Sequence, residues 1–304
     1  MKLCYALRKG VFYPHDSYAF GELPPKELRP RYLALVKAMG FDGVEIPVRG
    51  AYVPDEAAGR ELGNELAGAG VPAYCIRAGG PIAHPTVGAA ARQRLENSIR
   101  LAAAIGAAVV NTTFVTPPTH PGGPGSGRQG EQVSQGGSRT ASEFDFERTA
   151  EHLRAAGKLA SDLGVQISIE VHQGSIADNS TSAIHLLDLV GLPNVGANPD
   201  LGNIYWHYEQ PEETCESAIV NLAPRSNYWH CKNLKRIHIP ELNRAFYQRV
   251  PLPDGDIDYR FAISAMVAAN YQGYLAVEGG NQGDQLTADA KSASYVRDIL
   301  GSLD

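Results

Sequence analysis

The sequence is poor in the features that mark several common classes of protein. Its four cysteines, Cys4, Cys75, Cys215 and Cys231, have no paired spacing, which predicts neither a zinc knuckle nor a disulfide framework and fits a reducing cytoplasm. Acidic residues outnumber basic ones by 33 to 27, and the formal net charge of -6 argues against a nucleic-acid partner, which would need a basic surface. No apolar run is long enough to cross a bilayer and the N-terminal segment is too short for a signal sequence, so we expect a soluble, cytoplasmic protein without a membrane partner.

The chain does have the size and the apolar content for one large core. It contains 304 residues, of which 43% are hydrophobic. Barrels of alternating strands and helices often reach this length as one domain. We therefore predict a single domain over residues 1–304.

Short β-branched or aromatic segments alternate with helical patterns along the whole chain. The predicted strands are Lys2–Leu7, Gly43–Val48, Pro72–Ala78, Ala108–Phe114, Gln166–His172, Val195–Asp200, Asn227–Lys232 and Tyr274–Glu278. The predicted helices include Pro25–Met39, Val87–Ile105, Phe144–Leu163, Ser180–Val190 and Asp258–Asn270. Glycine follows the first four of these helices, which is typical of a left-handed C-cap. Eight βα units in series predict an α/β fold, a closed (β/α)8 TIM barrel.

A long glycine-rich segment follows the fourth predicted strand. Val115–Ser142 contains seven glycines and no hydrophobic period, so we predict a loop that is neither strand nor helix. Its place on the catalytic face of the barrel suggests a substrate lid, with a mobile insertion or an oligomer contact as alternatives. His120, Arg128 and Arg139 in this loop are interpreted as solvated rather than catalytic.

Polar side chains end every predicted strand, at the face where barrel enzymes carry their chemistry. They are Arg8, Glu45, Arg77, Asn111, Thr113, Glu170, His172, Asp200, His230, Lys232 and Glu278. The last four strands end in the motifs IEVH (Ile169–His172), NPDLGN (Asn198–Asn203), YWHCKN (Tyr228–Asn233) and YLAVEGG (Tyr274–Gly280). These motifs contribute three carboxylates and one imidazole, a ligand set that suits Mn²⁺, Mg²⁺ or Co²⁺. Each carboxylate taken alone could instead cap a helix or pair with an arginine.

At these motifs the chain resembles the xylose-isomerase-like barrel superfamily. The resemblance is to the sugar-phosphate isomerase and epimerase group, which includes ketose 3-epimerases, hydroxypyruvate isomerases and inosose dehydratases. That family holds one divalent cation with a Glu after strand five, an Asp in a D-x-G-[HN] turn, a His in an H-x-K-[DN] segment and a Glu that ends strand eight. The resemblance assigns these roles to Glu170, Asp200, His230 and Glu278, with Mn²⁺ as the first choice and Mg²⁺ or Co²⁺ as alternatives. The family's multi-zinc endonuclease branch needs more histidine ligands than this chain offers.

The resemblance implies a sugar isomerase or epimerase that removes a proton next to a carbonyl through a metal-bound enediolate. The cation would act as a Lewis acid on the developing negative charge. As in the 3-epimerases, Glu170 and Glu278 would face opposite sides of the substrate carbon, one removing the proton and the other returning it. Lys232 and His172 are alternative bases, and His172 could equally orient a ligand or a substrate hydroxyl.

Three residues are candidates for binding the substrate. Arg249 lies in RVPLPDGDIDY, which resembles the family's R-x-x-P-G-x-G segment except that PDGD replaces PGxG. Its alternative role is a surface ion pair with Asp254 or Asp256. Glu45 is a candidate at the barrel mouth that could also form a structural ion pair. Asn203, which lies in the same NPDLGN motif as Asp200, is the third candidate.

Two other functions remain open. The first is a metal-dependent lyase that cleaves O- or C-linked 3-oxo-glycosides, in some cases with a small second subunit. The second is a non-catalytic sugar-binding barrel, which could dispense with the acid and base. In every case the expected partner is a small sugar or glycoside, and a homo-oligomer is compatible with the sequence.

Overall fold

The computed structural model describes residues 1–7, 26–48, 53, 55–114, 137–206, 212–242, 244–280 and 283–303. Its strands are β1 (Lys2–Ala6), β2 (Gly43–Pro47), β3 (Ala73–Arg77), β4 (Val109–Thr112), β5 (Gln166–Glu170), β6 (Val195–Asn198), β7 (Trp229–Cys231), β8 (Asn233–Ile239), β9 (Arg244–Val250) and β10 (Tyr274–Val277). Its α-helices are α1 (Arg29–Ala38), α2 (Glu56–Gly68), α3 (Gly88–Ile105), α4 (Gly137–Thr140), α5 (Glu143–Asp162), α6 (Ser180–Val190), α7 (Leu201–Tyr205), α8 (Cys215–Leu222), α9 (Tyr259–Ala268) and α10 (Gln285–Gly301). None of these helices combines the length and the hydropathy needed to cross a membrane.

Eight strands form one parallel sheet in the order β6-β5-β4-β3-β2-β1-β10-β7. Between the two end strands, β6 and β7, the described residues form an isolated bridge from Ala197 to Ser226 and a hydrogen bond from Asn227 N to Ala197 O, 3.2 Å long. The sheet is therefore a nearly closed barrel with helices between the strands. This confirms the predicted (β/α)8 TIM barrel.

The strands form where the sequence predicts them, because their continuous apolar runs are buried on both faces of a parallel sheet. Each of the eight barrel strands ends one or two residues before its predicted C-terminal end. In β5 the reason is local: His172 N donates to Ala177 O in a turn rather than to a neighbouring strand. Those of the predicted strand-end polar residues that the structure describes therefore lie at the mouth of the barrel.

The predicted glycine caps are confirmed. Gly40, Gly106, Gly164 and Gly191, which follow the first four predicted helices, all have positive φ, between 64° and 89°. This is the left-handed conformation that glycine adopts at low cost.

Helix α2 is absent from the sequence prediction because its glycines lower the helical propensity. Two of these glycines are needed for packing against α3. A Cβ at Gly59 would meet the side chain of Leu101, and a Cβ at Gly63 would overlap the carbonyl oxygen of Ile105. A Cβ at Gly68, in contrast, would meet no atom within 4 Å.

We expect Gly63→Ala to destabilise the protein by about 1–3 kcal/mol, because the backbone of α3 cannot yield as a flexible side chain would. Gly68→Ala is the matched control. The same change there adds helix propensity in open space and should stabilise by a few tenths to about 1 kcal/mol. Urea unfolding of both variants measures the two effects, and equal shifts at the two positions would contradict the close contact between α2 and α3.

A β-hairpin that the sequence analysis did not predict follows β7. Strands β8 and β9 pair antiparallel from Asn233–Val250 at the base to Ile239–Arg244 near the tip. The turn contains a 3₁₀ segment, Pro240–Leu242, rather than the Asn-Gly or Asp-Gly pair that marks a hairpin in a sequence. Because of this insertion, the eighth barrel strand is β10.

Most of the predicted glycine-rich loop, residues 115–136, lies outside the described residues, as do Arg8, His120 and Arg128. The prediction of no helix in this loop is wrong for its last part, where Gly137–Thr140 forms the single turn α4. A tertiary contact accompanies this turn, since Ser138 N donates to Asp178 Oδ2 over 3.3 Å. Glycine content alone could not reveal that contact.

Candidate metal centre and active site

The four predicted metal ligands all lie at the C-terminal mouth of the barrel. Glu170 is the last residue of β5, and Glu278 directly follows β10. Asp200 lies two residues beyond β6 and caps α7 by accepting a hydrogen bond from Asn203 N. His230 belongs to the short strand β7. The sequence predicted this common location, because the four residues occur at the ends of four successive predicted strands.

Three of the four form a compact buried group. Ligand atoms of Glu170, Asp200 and His230 all lie within 4.8 Å of one another. His230 Nδ1 is 3.4 Å from Glu170 Oε2 and 3.9 Å from Asp200 Oδ2. Among the described residues, His230 Nδ1 has no partner with hydrogen-bond geometry, whereas Asp200 Oδ2 forms an ion pair with Lys232 Nζ, 2.8 Å away. Buried polar atoms rarely stay unsatisfied, so an imidazole nitrogen that faces two carboxylates fits a divalent cation that prefers oxygen and imidazole ligands.

Glu278 lies outside this group. Its Oε1 accepts a hydrogen bond from Arg77 Nη1 and its Oε2 accepts one from Lys232 Nζ, each 2.9 Å long. Lys232 Nζ also lies 2.8 Å from Asp200 Oδ2 and therefore bridges the two carboxylates. A role for Glu278 as the fourth ligand stays a prediction.

Glu45 connects the histidine to this ion-pair network. Its side chain is fully buried, with Oε2 2.6 Å from His230 Nε2 and Oε1 3.2 Å from Arg77 Nε. Buried basic and acidic side chains therefore alternate in one network of ion pairs. In order of contact, its members are His230, Glu45, Arg77, Glu278, Lys232 and Asp200. Alternation of this kind makes the burial of so many charges tolerable.

The pKa values follow from the competition between burial and these neighbours. Burial raises the pKa of Glu170 and of Glu278, but the neighbours of each carboxylate, led by His230 for the first and Lys232 for the second, together outweigh it, so both pKa values lie well below the ordinary range. Burial alone lowers the pKa of His230, and its carboxylate neighbours raise it well above normal. At Asp200 burial prevails over Lys232 and raises the pKa to about 6. Burial likewise lowers the pKa of His172, which favours a neutral imidazole at pH 7.

Glu45 holds His230 so that Nδ1 faces Glu170 and Asp200. A carboxylate on the remote nitrogen of a metal-binding histidine fixes the ring orientation, and its loss typically weakens metal binding by about 10–100-fold. We expect Glu45→Gln to raise the Mn²⁺ dissociation constant by a factor in that range, as measured by calorimetry. The exposed Glu216→Gln on α8 is the matched control and should leave Mn²⁺ binding unchanged. Equal affinities of the Glu45 variant and the parent protein would contradict the orienting role.

Amide and hydroxyl donors hold Glu170 on both oxygens. Asn111 Nδ2 and Thr113 Oγ1 each donate to Oε2 over 2.9 Å, and Asn203 Nδ2 donates to Oε1 over 3.1 Å. Asn203 is buried and also donates to Val171 O. A substrate contact of Asn203 or Glu45 stays a prediction, since the described contacts of both residues are with protein groups.

Asn198 is a positioning residue that the sequence analysis missed. Its Oδ1 accepts from His230 N over 2.6 Å, and its Nδ2 donates to Asn111 Oδ1 over 3.1 Å. It therefore links the strand of the histidine to the residues that hold Glu170. The sequence feature that could have identified Asn198 is its position as an asparagine at the end of a buried strand.

Arg249 and His172 border the group. The Arg249 guanidinium lies 5.7 Å from the centre of the Trp206 ring, and its Nη1 is 3.8 Å from Glu278 Oε2. Its alternative partners, Asp254 and Asp256, instead form ion pairs with Lys291 and Lys235, respectively. His172 is partly exposed, and its Nδ1 lies 2.7 Å from Gln173 O. The structure thus brings both residues to the mouth of the barrel.

The sequence profile of the xylose isomerase-like TIM barrel family matches residues 33–299 of the chain. The chain belongs to this family. Among proteins of known activity, this xylose isomerase-like barrel is similar to the inosose dehydratase of Clostridium perfringens, with 26% identity over 151 residues, which are 47% of this chain and 50% of the relative. It therefore spans about half the length of the curated relatives it matches.

Solved structures agree with the family assignment. A xylose isomerase-like TIM barrel protein from Mycobacterium smegmatis in complex with magnesium has a TM-score of 0.76 at 23% identity, covering 99% of this chain and 97% of that one. An L-ribulose 3-epimerase has a TM-score of 0.73 at 16% identity, covering 99% and 95%. Epimerases and dehydratases both occur among the structural neighbours. At these identities, the likeness shows the common fold.

Proposed function

We propose that the protein is a divalent-metal-dependent sugar isomerase or epimerase that removes a proton from the carbon next to a carbonyl. One observation carries the proposal. The buried group of Glu170, Asp200 and His230, in which His230 Nδ1 has no hydrogen-bond partner, adjoins a further ionised carboxylate, Glu278, and an ammonium, Lys232. The structural likeness to a 3-epimerase supports the same reaction type.

A cation held by Glu170, Asp200 and His230 would supply Lewis-acid stabilisation of the negative charge that develops on the carbonyl oxygen. The chain itself would supply the proton transfer. Glu278 is ionised because its cationic neighbours hold its pKa low, so it is ready to accept a proton. For epimerisation, Glu170 would take up a proton from water and deliver it to the other side of the carbon, while Glu278 would release the proton that it has accepted to water.

Lys232 would control the basicity of Glu278. Its Nζ lies between Asp200 Oδ2 and Glu278 Oε2, at 2.8 and 2.9 Å. A substrate oxygen that gains negative charge would compete for this ammonium, and the pKa of Glu278 rises as its ion pair weakens. Arg249, over Trp206, is placed to bind substrate hydroxyls at the same mouth.

Elimination is the second candidate, and two observations favour it. The curated relatives are inosose dehydratases, and His172 combines partial exposure with a pKa that burial lowers. A neutral histidine at the mouth could accept the α-proton and then, as an imidazolium, donate it to the leaving hydroxyl or aglycone. A dehydratase and a 3-oxo-glycoside lyase both fall within this candidate.

Incubation of the Mn²⁺-loaded protein in D₂O with a ketose panel, an inosose and a 3-oxo-glucoside tests the proposal. Deuterium next to the carbonyl of a ketose, together with its epimer or isomer by NMR, is the expected result. Loss of water from the inosose or release of the aglycone, with no exchange in any ketose, would instead establish elimination. If every compound stays unchanged while metal is bound, both candidates fail.

A further inference from the structure

The hairpin of β8 and β9 rises from the active site. Lys232 directly precedes β8, and Arg249, near the end of β9, contacts the site. The strands extend beyond the mouth of the barrel toward the 3₁₀ turn Pro240–Leu242. One face of this hairpin is therefore continuous with the site.

The pairing register identifies that face. Leu234 pairs with Arg249, Arg236 with Tyr247, and His238 with Ala245. Alternate residues of a strand share a face, so these six side chains lie on the face that contains Arg249. The pairs follow one another at a rise of about 3.4 Å per residue, which puts Arg236 and Tyr247 roughly 7 Å beyond the level of Arg249.

Burial agrees with this division on β9 but not on β8, where residues 235–238 of both faces are exposed. On β9, Ala245, Tyr247 and Arg249 are partly buried, whereas Phe246 and Gln248 between them are exposed. The inner face packs against the barrel through Tyr247, whose ring meets the edge of Tyr205 at 5.9 Å. Arg236 is the cross-strand partner of Tyr247 and therefore lies beside it.

The inner face is positively charged in a protein with a net charge of -6. It has two arginines and one histidine, Arg249, Arg236 and His238, and no acidic residue. In the part of the chain that the structure describes, no carboxylate forms an ion pair with the side chain of Arg236 or His238. Lys235, on the outer face, is paired with Asp256 at 3.2 Å, and Asp256 Oδ2 also accepts hydrogen bonds from Arg236 N and Tyr205 Oη.

We propose that this inner face binds the terminal anionic group, a phosphate or a carboxylate, of an open-chain polyhydroxylated substrate. Arginine suits this role because its planar guanidinium donates two parallel hydrogen bonds to such a group. The substrate's carbonyl end would lie at Glu170, Asp200 and His230, and its far end would reach Arg236, with Arg249 between them. This inference deepens the proposed function and rests on it for the identity of the carbonyl end.

Three unreactive probes test the site without requiring turnover: sorbitol, sorbitol 6-phosphate and gluconate, titrated by calorimetry at low ionic strength with Mn²⁺ present. Charge-assisted hydrogen bonds imply that at least one anionic probe binds about tenfold more tightly than sorbitol. Preference for sorbitol 6-phosphate identifies a phosphate site, and preference for gluconate identifies a carboxylate site. Equal affinities for all three probes would overturn the proposal.

Arg236→Gln, with Lys235→Gln as its matched control, tests whether the preference for anionic probes depends on the inner face of the hairpin. Both variants lose one positive charge on β8, but on opposite faces. Arg236→Gln should remove most of the anionic preference, about tenfold, while Lys235→Gln should change it by less than about twofold. Equal losses in the two variants would show a general charge effect and would refute the site. An anionic preference that persists when no ketose exchanges deuterium would refute the proposed reaction and leave the binding site intact.

Discussion

Replacing Glu278 with glutamine is expected to lower the rate of deuterium incorporation from D₂O into the substrate by about 10²–10⁴-fold. The amide keeps the size of the side chain and an oxygen that can face Lys232, but it cannot accept a proton. Substrate binding should suffer less than catalysis, so kcat should fall with a small change in KM. NMR of the isotope at the carbon beside the carbonyl measures the exchange.

Glu65→Gln is the matched control, because Glu65 also pairs with an arginine, Arg29, at 2.9 Å, on a different part of the protein. It should leave the exchange rate unchanged. The metal content of each variant has to equal that of the parent protein for the comparison to hold. Exchange that survives the removal of the carboxylates of both Glu170 and Glu278, with metal still bound, would rule out the mechanism of two glutamates.

Asp200→Asn is expected to abolish the stabilisation of the fold by Mn²⁺. A cation that binds only the folded protein stabilises it by about 2.7 kcal/mol at a concentration 100 times its dissociation constant. For a chain of this size, that should raise the melting temperature by roughly 4 °C, and EDTA should reverse the rise. The variant lacks one of the three grouped ligands, whereas asparagine can still cap α7.

Asp258→Asn is the control for this experiment. Asp258 caps α9 by accepting a hydrogen bond from Phe261 N over 2.9 Å, so the same substitution is made at another helix cap. This variant should keep the full Mn²⁺-dependent shift. A shift that persists in Asp200→Asn, or a parent protein whose melting temperature is insensitive to verified metal removal, would contradict the metal centre.

The order of strands and the positions of three grouped ligands could be predicted from the sequence, since both depend on local patterns. Apolar runs predict strands, and a barrel brings the ends of its parallel strands to one face. The grouping of Glu170, Asp200 and His230 follows from their placement at the ends of β5 and β6 and in β7.

The partners of these residues could not be predicted, because they depend on distances between remote parts of the chain. Arg77 is 201 residues from Glu278, and Glu45 is 185 residues from His230. Strand-end position alone made Glu278 equivalent to the other carboxylates, but its ion pairs with Arg77, Lys232 and Arg249 set it apart. The hairpin of β8 and β9 was missed for a different reason, because its turn lacks the residues that mark a tight hairpin.

The most direct test of metal-dependent proton removal compares isotope exchange in one preparation before chelation, after chelation and after Mn²⁺ is restored. The substrate is the ketose of the panel that reacts best, and NMR follows deuterium at the carbon next to its carbonyl. We predict exchange in the loaded protein, its loss after EDTA and its recovery with Mn²⁺. Exchange at an undiminished rate in protein shown to be free of metal would contradict the account.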